Sequence, residues 1–209
     1  MDMIQLPVSL PQPSSRSIDQ AVAVLQRGGI IVFPTDTGYS MGCDLFRKKS
    51  IDRIAFVKRR DPKKPFTFIC SDLKELSQFA IVSDRAYRDM RRLLPGPYTF
   101  VLPATKMVPK LLISSRRSVG IRVPDHAVPQ AIVQNLRHPI ISTSCVSPEG
   151  GNLTHPEEIA RIYGKSIDLL LDGDIISMEP STVIDFTESE PSILRKGKGS
   201  LDIFKVKEG

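Results

Sequence analysis

Three stretches of this 209-residue chain carry side chains suited to holding an anion. Pro34-Thr35-Asp36-Thr37-Gly38-Tyr39-Ser40-Met41-Gly42-Cys43-Asp44 follows the apolar run Ile30-Ile31-Val32-Phe33 and is dense in hydroxyls, glycines and acids. Hydroxyls donate and accept, and glycine permits close backbone approach, so such a loop at a strand end reads as the lip of a binding site. Ser142-Thr143-Ser144-Cys145-Val146-Ser147-Pro148-Glu149-Gly150-Gly151 repeats that chemistry after a second apolar run, and the two loops could line one crevice. Lys58-Arg59-Arg60-Asp61-Pro62-Lys63-Lys64-Pro65 adds cations able to neutralise phosphates or a small carboxylate. Each stretch also has an ordinary reading: satisfied hydroxyl-rich turns, and a basic helix end in which Lys58 and Arg59 complement the dipole. The dipole does not account for Lys63 and Lys64, which lie beyond Asp61-Pro62.

Familiar motifs narrow the chemistry. Gly38-Tyr39-Ser40-Met41-Gly42 fits the Gly-x-Ser-x-Gly elbow of hydrolases, but an elbow needs a helix immediately after its serine and a triad in the order Ser, acid, His. Several residues separate Ser40 from a plausible helix start, and His126, His138 and His155 lack a distinctive setting, so a serine hydrolase is rejected. The chain contains no Walker A sequence, no Gly-x-Gly-x-x-Gly fingerprint and no His-Glu-x-x-His motif. A nucleotide would therefore be held by another device.

The elements that must position these stretches alternate. Ser17 is the expected cap of a helix through Ile18, Ala21, Val22 and Leu25, ended by Gly28-Gly29 before a strand at Ile30. Residues 50–58 have helical spacing, 66–70 read as a strand, and Ser71-Asp72 and Ser83 open helices, the second stopping at Pro95-Gly96-Pro97. Strands are expected at 98–102, 119–123 and 139–142, a helical turn at 108–113, and a helix over 127–136. Thr154 and Glu157 have the spacing of a capping box for a helix to Tyr163, and strands follow at 168–171, 182–185 and 192–195. With no repeat and no linker, a single α/β domain with a mixed twisted sheet is the economical architecture.

Composition agrees with a cored globular chain: 41% of residues are apolar, and no run approaches the ~20 residues that cross a bilayer. A cytoplasmic location is expected. Cys43, Cys70 and Cys145 are scattered and odd in number, which argues against a disulfide framework or a zinc site. Twenty-nine Lys and Arg against 23 Asp and Glu leave a formal charge of +6, which favours an anionic partner such as a nucleotide or nucleic acid.

Taken together, ordered segments across residues 17–203 resemble the YrdC/YciO family of threonylcarbamoyl-adenylate synthases and their relatives. The matching segments are Pro34-Thr35-Asp36-Thr37-Gly38-Tyr39 with Gly42-Cys43, Lys58-x-Arg60-x-x-x-Lys64-Pro65, Pro95-Gly96-Pro97-Tyr98-Thr99-Phe100 and Gly120-Ile121-Arg122-Val123-Pro124. They continue with Ser142-Thr143-Ser144, Ser181-Thr182-Val183-Ile184-Asp185 and Ile193-Leu194-Arg195-Lys196-Gly197. The resemblance implies a twisted open sheet with flanking helices around a positively charged cavity, with residues 1–16 an N-terminal extension and 204–209 a tail. It implies an activity joining L-threonine, bicarbonate and ATP, with Mg2+ accompanying the triphosphate, for modification of adenosine 37 in tRNA.

Carried across by position, Lys58, Arg60 and Lys64 would be catalytic. Lys58, Arg60, Ser142, Ser144, Ser181 and Arg195 would contact the nucleotide, and Thr35, Tyr39, Arg122 and Thr143 would hold the threonine. One departure stands out: where synthases of the family typically read Ser-x-Asn, this chain has Ser144-Cys145-Val146, which places it nearer the YciO branch. The alternative function is a noncatalytic member that binds double-stranded RNA or tRNA in the same cavity.

Overall fold

The computed structural model describes residues 3–59, 66–114 and 116–204. Its first half runs β1 (Ile4–Pro7), α1 (Ser15–Gln26), β2 (Ile31–Thr35), β3 (Gly38–Asp44), α2 (Lys48–Val57), β4 (Thr67–Ile69), α3 (Leu73–Phe79), α4 (Asp84–Leu93) and β5 (Tyr98–Pro103). A 3-10 turn at Lys110–Leu112 leads to β6 (Ser118–Arg122), α5 (Ala127–Leu136), β7 (Ile140–Ser144), α6 (Pro156–Tyr163), β8 (Leu169–Asp172), β9 (Thr182–Asp185) and β10 (Ser192–Arg195). The strands form one mixed sheet in the order β1-β8-β2-β3-β7-β4-β6-β5-β9-β10.

Strand alternation gives the sheet two faces. Val32, Tyr39, Met41, Cys43, Phe68, Phe100, Ile121, Ile141 and Ile184 face a large core shared with residues of α2, α3, α4 and α6. Ile31, Phe33, Ile69 and Ile140 face the other way, beneath α1 and α5. Because those two helices pack on each other and over β2 and β8, they leave the same face uncovered toward β5, β9 and β10.

Five sequence expectations are corrected. Residues 34–44 are not a loop: they end β2, turn, and form β3, which pairs antiparallel with both β2 and β7. The alternation of Tyr39, Met41 and Cys43 with Ser40, Gly42 and Asp44 is strand-like, but small and hydroxyl residues on the second face disguise it. Pro34 is tolerated inside β2 because β8 pairs only with Ile31 and Val32, leaving that side unpaired at Pro34. Likewise β7 continues to Ser144, so Ser142 to Ser144 lie on a strand.

The cap of α1 is Ser14, whose Oγ accepts from Ser17 N, rather than Ser17. The Thr154 hydroxyl meets the His155 ring at 2.9 Å instead of forming a capping box, and Pro156 opens α6 without an N–H that needs capping. Finally, the segment read as an N-terminal extension supplies β1, parallel to β8, because an edge strand of four mostly exposed residues leaves little apolar signal.

Candidate functional site

A cavity of about 340 Å³ occupies the part of the sheet that α1 and α5 leave open. Register explains its lining. Ser40 lies opposite Ser144, Thr67 is flanked by Ser142 and Gly120, and Gly120 lies opposite Val101, so these residues share one face. At the far edge the pairing of β10 with β9 shifts between Ile193 and Arg195, and both Leu194 and Arg195 reach the cavity wall across that irregularity. Six residues named from sequence meet here: Arg122, Ser142, Thr143, Ser144, Ser181 and Arg195.

The ionisable side chains among the lining residues are two guanidinia. Arg195 donates to the Ser181 carbonyl from Nε at 3.0 Å and Nη2 at 2.8 Å, and to Ser181 Oγ at 3.1 Å. Ser181 Oγ is in turn 2.8 Å from Thr99 Oγ1, so a chain of hydroxyls fixes the arginine. Arg122 is almost wholly buried, and its Nη2 donates to Asp36 Oδ1. Burial pushes both arginines below their ordinary pKa; Asp36 works against this at Arg122, while the Arg195 charge adds to it. Among the described residues, Asp36 Oδ2, Arg122 Nε and His126 Nε2 are buried without a hydrogen-bond partner.

The remaining expected site residues are placed differently. The Thr35 hydroxyl donates to the Gly38 carbonyl at 2.6 Å and accepts from Thr37 N at 3.2 Å, so it closes the β2–β3 turn. Gly38 needs its positive φ of 111° there, and an added Cβ would come within 2.9 Å of Met178. Tyr39 is buried on the opposite face, its hydroxyl donating to the Asp174 carbonyl at 2.7 Å and accepting from Gly173 N at 3.0 Å. Neither Thr35 nor Tyr39 lines the cavity.

Lys58, at the C-terminal cap of α2, donates to the Val146 carbonyl at 2.6 Å and lies 3.2 Å from the Tyr163 hydroxyl and 5.1 Å from its ring centroid. Tyr163 also donates to that carbonyl, at 2.6 Å, and burial pushes its phenol up to about 12. Thus the backbone carbonyl of Val146 anchors the lysine. Arg60 and Lys64 lie outside the described residues.

Sequence reading missed Asp36, His126 and Tyr163. Asp36 stood inside a quoted motif, where the hydroxyls drew the assignment; His126 and Tyr163 carry no local signal. Among the described residues, no helix is long and apolar enough to cross a membrane.

A model of the Sua5/YciO/YrdC family, described as telomere recombination, matches residues 23–197. Escherichia coli K12 YciO is 40% identical over 195 residues, covering 92% of this chain and 94% of YciO. The crystal structure of E. coli YciO superposes with a TM-score of 0.92, at 36% identity over 97% of this chain and 99% of that one. The threonylcarbamoyl-AMP synthase of Coxiella burnetii (Nine Mile phase I) is 31% identical over 163 residues, 77% of this chain and 87% of the synthase. P. abyssi Sua5 complexed with L-threonine superposes with a TM-score of 0.87 at 25% identity, covering 98% of this chain but 60% of that protein.

Proposed function

The chain belongs to the Sua5/YciO/YrdC family, and from that membership we propose that it is a nucleotidyl-transfer enzyme of the threonylcarbamoyl-AMP synthase type. The reaction would join L-threonine, bicarbonate and ATP and serve the modification of adenosine 37 in tRNA. The observation that carries the reading is the convergence of Arg122, Ser142, Thr143, Ser144, Ser181 and Arg195 on one cavity, although they are spread over more than seventy positions of sequence.

The donor set suits the chemistry. Threonine and bicarbonate condense to a carbamate with loss of water, and a carbamate oxygen attacks the α-phosphorus of ATP while the bond to pyrophosphate breaks. Bicarbonate, the carbamate and ATP are anions and threonine carries a carboxylate, so fixed donors must hold the reactants together and stabilise the charge developing on the phosphate oxygens. Arg195, oriented through Ser181, and the Ser142 and Ser144 hydroxyls supply such donors to the nucleotide, while Arg122 offers a planar fork to the threonine carboxylate beside Thr143. Lys58, at the end of α2 and tied to the Val146 carbonyl just beyond β7, keeps the catalytic role that the family resemblance implies, as do Arg60 and Lys64. A cavity lined by hydroxyls and guanidinia favours anionic oxygens over a divalent cation, so Mg2+ would be held by the phosphates of ATP.

The test is pyrophosphate release by purified protein free of contaminating synthase. Release that requires both threonine and bicarbonate is expected. No release in the presence of all three substrates, with tight RNA binding that weakens steeply as salt rises, would overturn the reading in favour of the RNA-binding alternative.

A further inference from the structure

The three unpartnered buried atoms belong to Asp36, Arg122 and His126, of which Arg122 lines the cavity. Arg122 is 6% exposed overall, and its side chain and that of Asp36 are 7% and 11% exposed, so this is a buried ion pair that also faces a binding site. Asp36 engages the guanidinium through one oxygen and one nitrogen, leaving Asp36 Oδ2 and Arg122 Nε unpaired. Buried polar atoms left without a partner are destabilising and call for a functional explanation where they cluster.

His126 supplies the third atom. It caps α5, and its Nδ1 accepts from Val128 N at 3.2 Å, which leaves the proton of the neutral ring on Nε2. The ring lies within electrostatic reach of Asp36, Asp125 and Arg122. Two donors, Arg122 Nε–H and His126 Nε2–H, therefore accompany one free acceptor, Asp36 Oδ2.

The backbone beneath Asp36 is held. Lys198 Nζ donates to the Asp36 carbonyl at 2.6 Å, and the Thr35 hydroxyl locks the turn onto the Gly38 carbonyl. Asp36 can therefore change partner by rotating its side chain without remodelling the hairpin.

We propose that Asp36 and His126 are positioning residues for Arg122: the carboxylate aims the guanidinium into the cavity, and the imidazole Nε2–H takes up the carboxylate when a substrate carboxylate engages the arginine. Without that second donor, two carboxylates would compete for one guanidinium. With it, Arg122 is held on target while empty and released to its ligand on binding. The inference rests on the reading of Arg122 as the contact for the threonine carboxylate.

Two pairs of variants test it, with L-threonine as the probe. Asp36→Ala removes both the charge and the acceptor, whereas Asp36→Asn keeps an acceptor oxygen. His126→Asn keeps an acceptor near Nδ1 for the α5 cap but loses the Nε2 donor, and His126→Gln does the reverse. In Asp36→Ala the Arg122 Nη2–H resonance is expected to exchange with water about tenfold faster and the threonine Kd to rise about tenfold, both largely restored in Asp36→Asn. His126→Asn should weaken threonine binding while keeping the melting temperature, and His126→Gln should lower the melting temperature while keeping the affinity. Unchanged Arg122 exchange in Asp36→Ala, or indistinguishable behaviour of the two His126 variants, would overturn the proposal. A wild-type protein that binds no threonine would remove the substrate reading and the carboxylate exchange built on it, whereas the Arg122 exchange measurement would still decide whether Asp36 positions the arginine.

Discussion

The β2–β3 turn and the end of β7 are alike in sequence and opposite in chemistry. Thr35 and Tyr39 in the first spend their hydroxyls on the protein's own backbone, at Gly38 and at Gly173 and Asp174. Ser142 and Ser144 in the second line the cavity, and among the described residues no side-chain hydrogen bond ties either of them. The difference follows from where the backbone finds its partners. The tight turn at Thr35 and the chain leaving β8 at Gly173 and Asp174 present carbonyls and amides that a nearby hydroxyl satisfies, whereas the backbone at Ser142 has strand neighbours on both sides, so its side chain remains available. Ser144 is paired with Ser40, and Ser142 with both Gly42 and Thr67.

Replacing a cavity donor should cost activity and little stability. Arg195→Ala removes a guanidinium whose described partners all belong to Ser181. Loss of one fixed donor to developing negative charge typically lowers turnover ~100-fold or more. Pyrophosphate release is expected to fall on that scale with a nearly unchanged melting temperature. Unfolding with full residual activity in the folded fraction would assign Arg195 to the scaffold and erase the contrast.

In the turn the expectation reverses. Tyr39→Phe strands the Gly173 amide and the Asp174 carbonyl, which should lower stability by ~1–3 kcal/mol in denaturant titration. Threonine affinity should stay within about twofold, since the ring lies in the core beneath the sheet. A large loss of affinity at unchanged stability would return Tyr39 to the substrate-contact role that the sequence motif suggested.

How much was legible follows the same division. The helix at 127–136 is the span observed for α5, because its apolar spacing and its flanking residues agree. The cavity residues of β6, β7 and β10 were legible as ordered motifs, and the strand register then brought them together. What could not be read was how each polar side chain is used. Nothing local distinguishes a threonine that closes a turn from one that meets a ligand, and the Asp36–Arg122 contact joins positions 86 residues apart. The carbonyl at Val146 is likewise invisible to a reading of side chains, although both Lys58 and Tyr163 converge on it.

His126 joins the two regions, and its titration gives the finest test of the contrast. Burial lowers its pKa from the ordinary 6.5, Arg122 adds to the lowering, and Asp36 and Asp125 oppose it. The unfolded chain therefore binds this proton more readily than the folded one. The stability from the neutral ring is fully present above pH 6.5 and is lost as pH falls through the lowered value. Glu75 has the opposite sign: burial raises its pKa, so the folded state holds that proton more tightly and gains stability as pH falls. The two effects oppose each other in the wild-type curve, and the readout is the difference between wild type and His126→Asn. That difference should be flat above pH 6.5 and shift in favour of the variant below it, because the asparagine keeps the cap without a titrating ring. Parallel curves down to pH 5 would mean that the ring meets no titration penalty in that range, and that the turn and the cavity are not joined through a buried neutral imidazole.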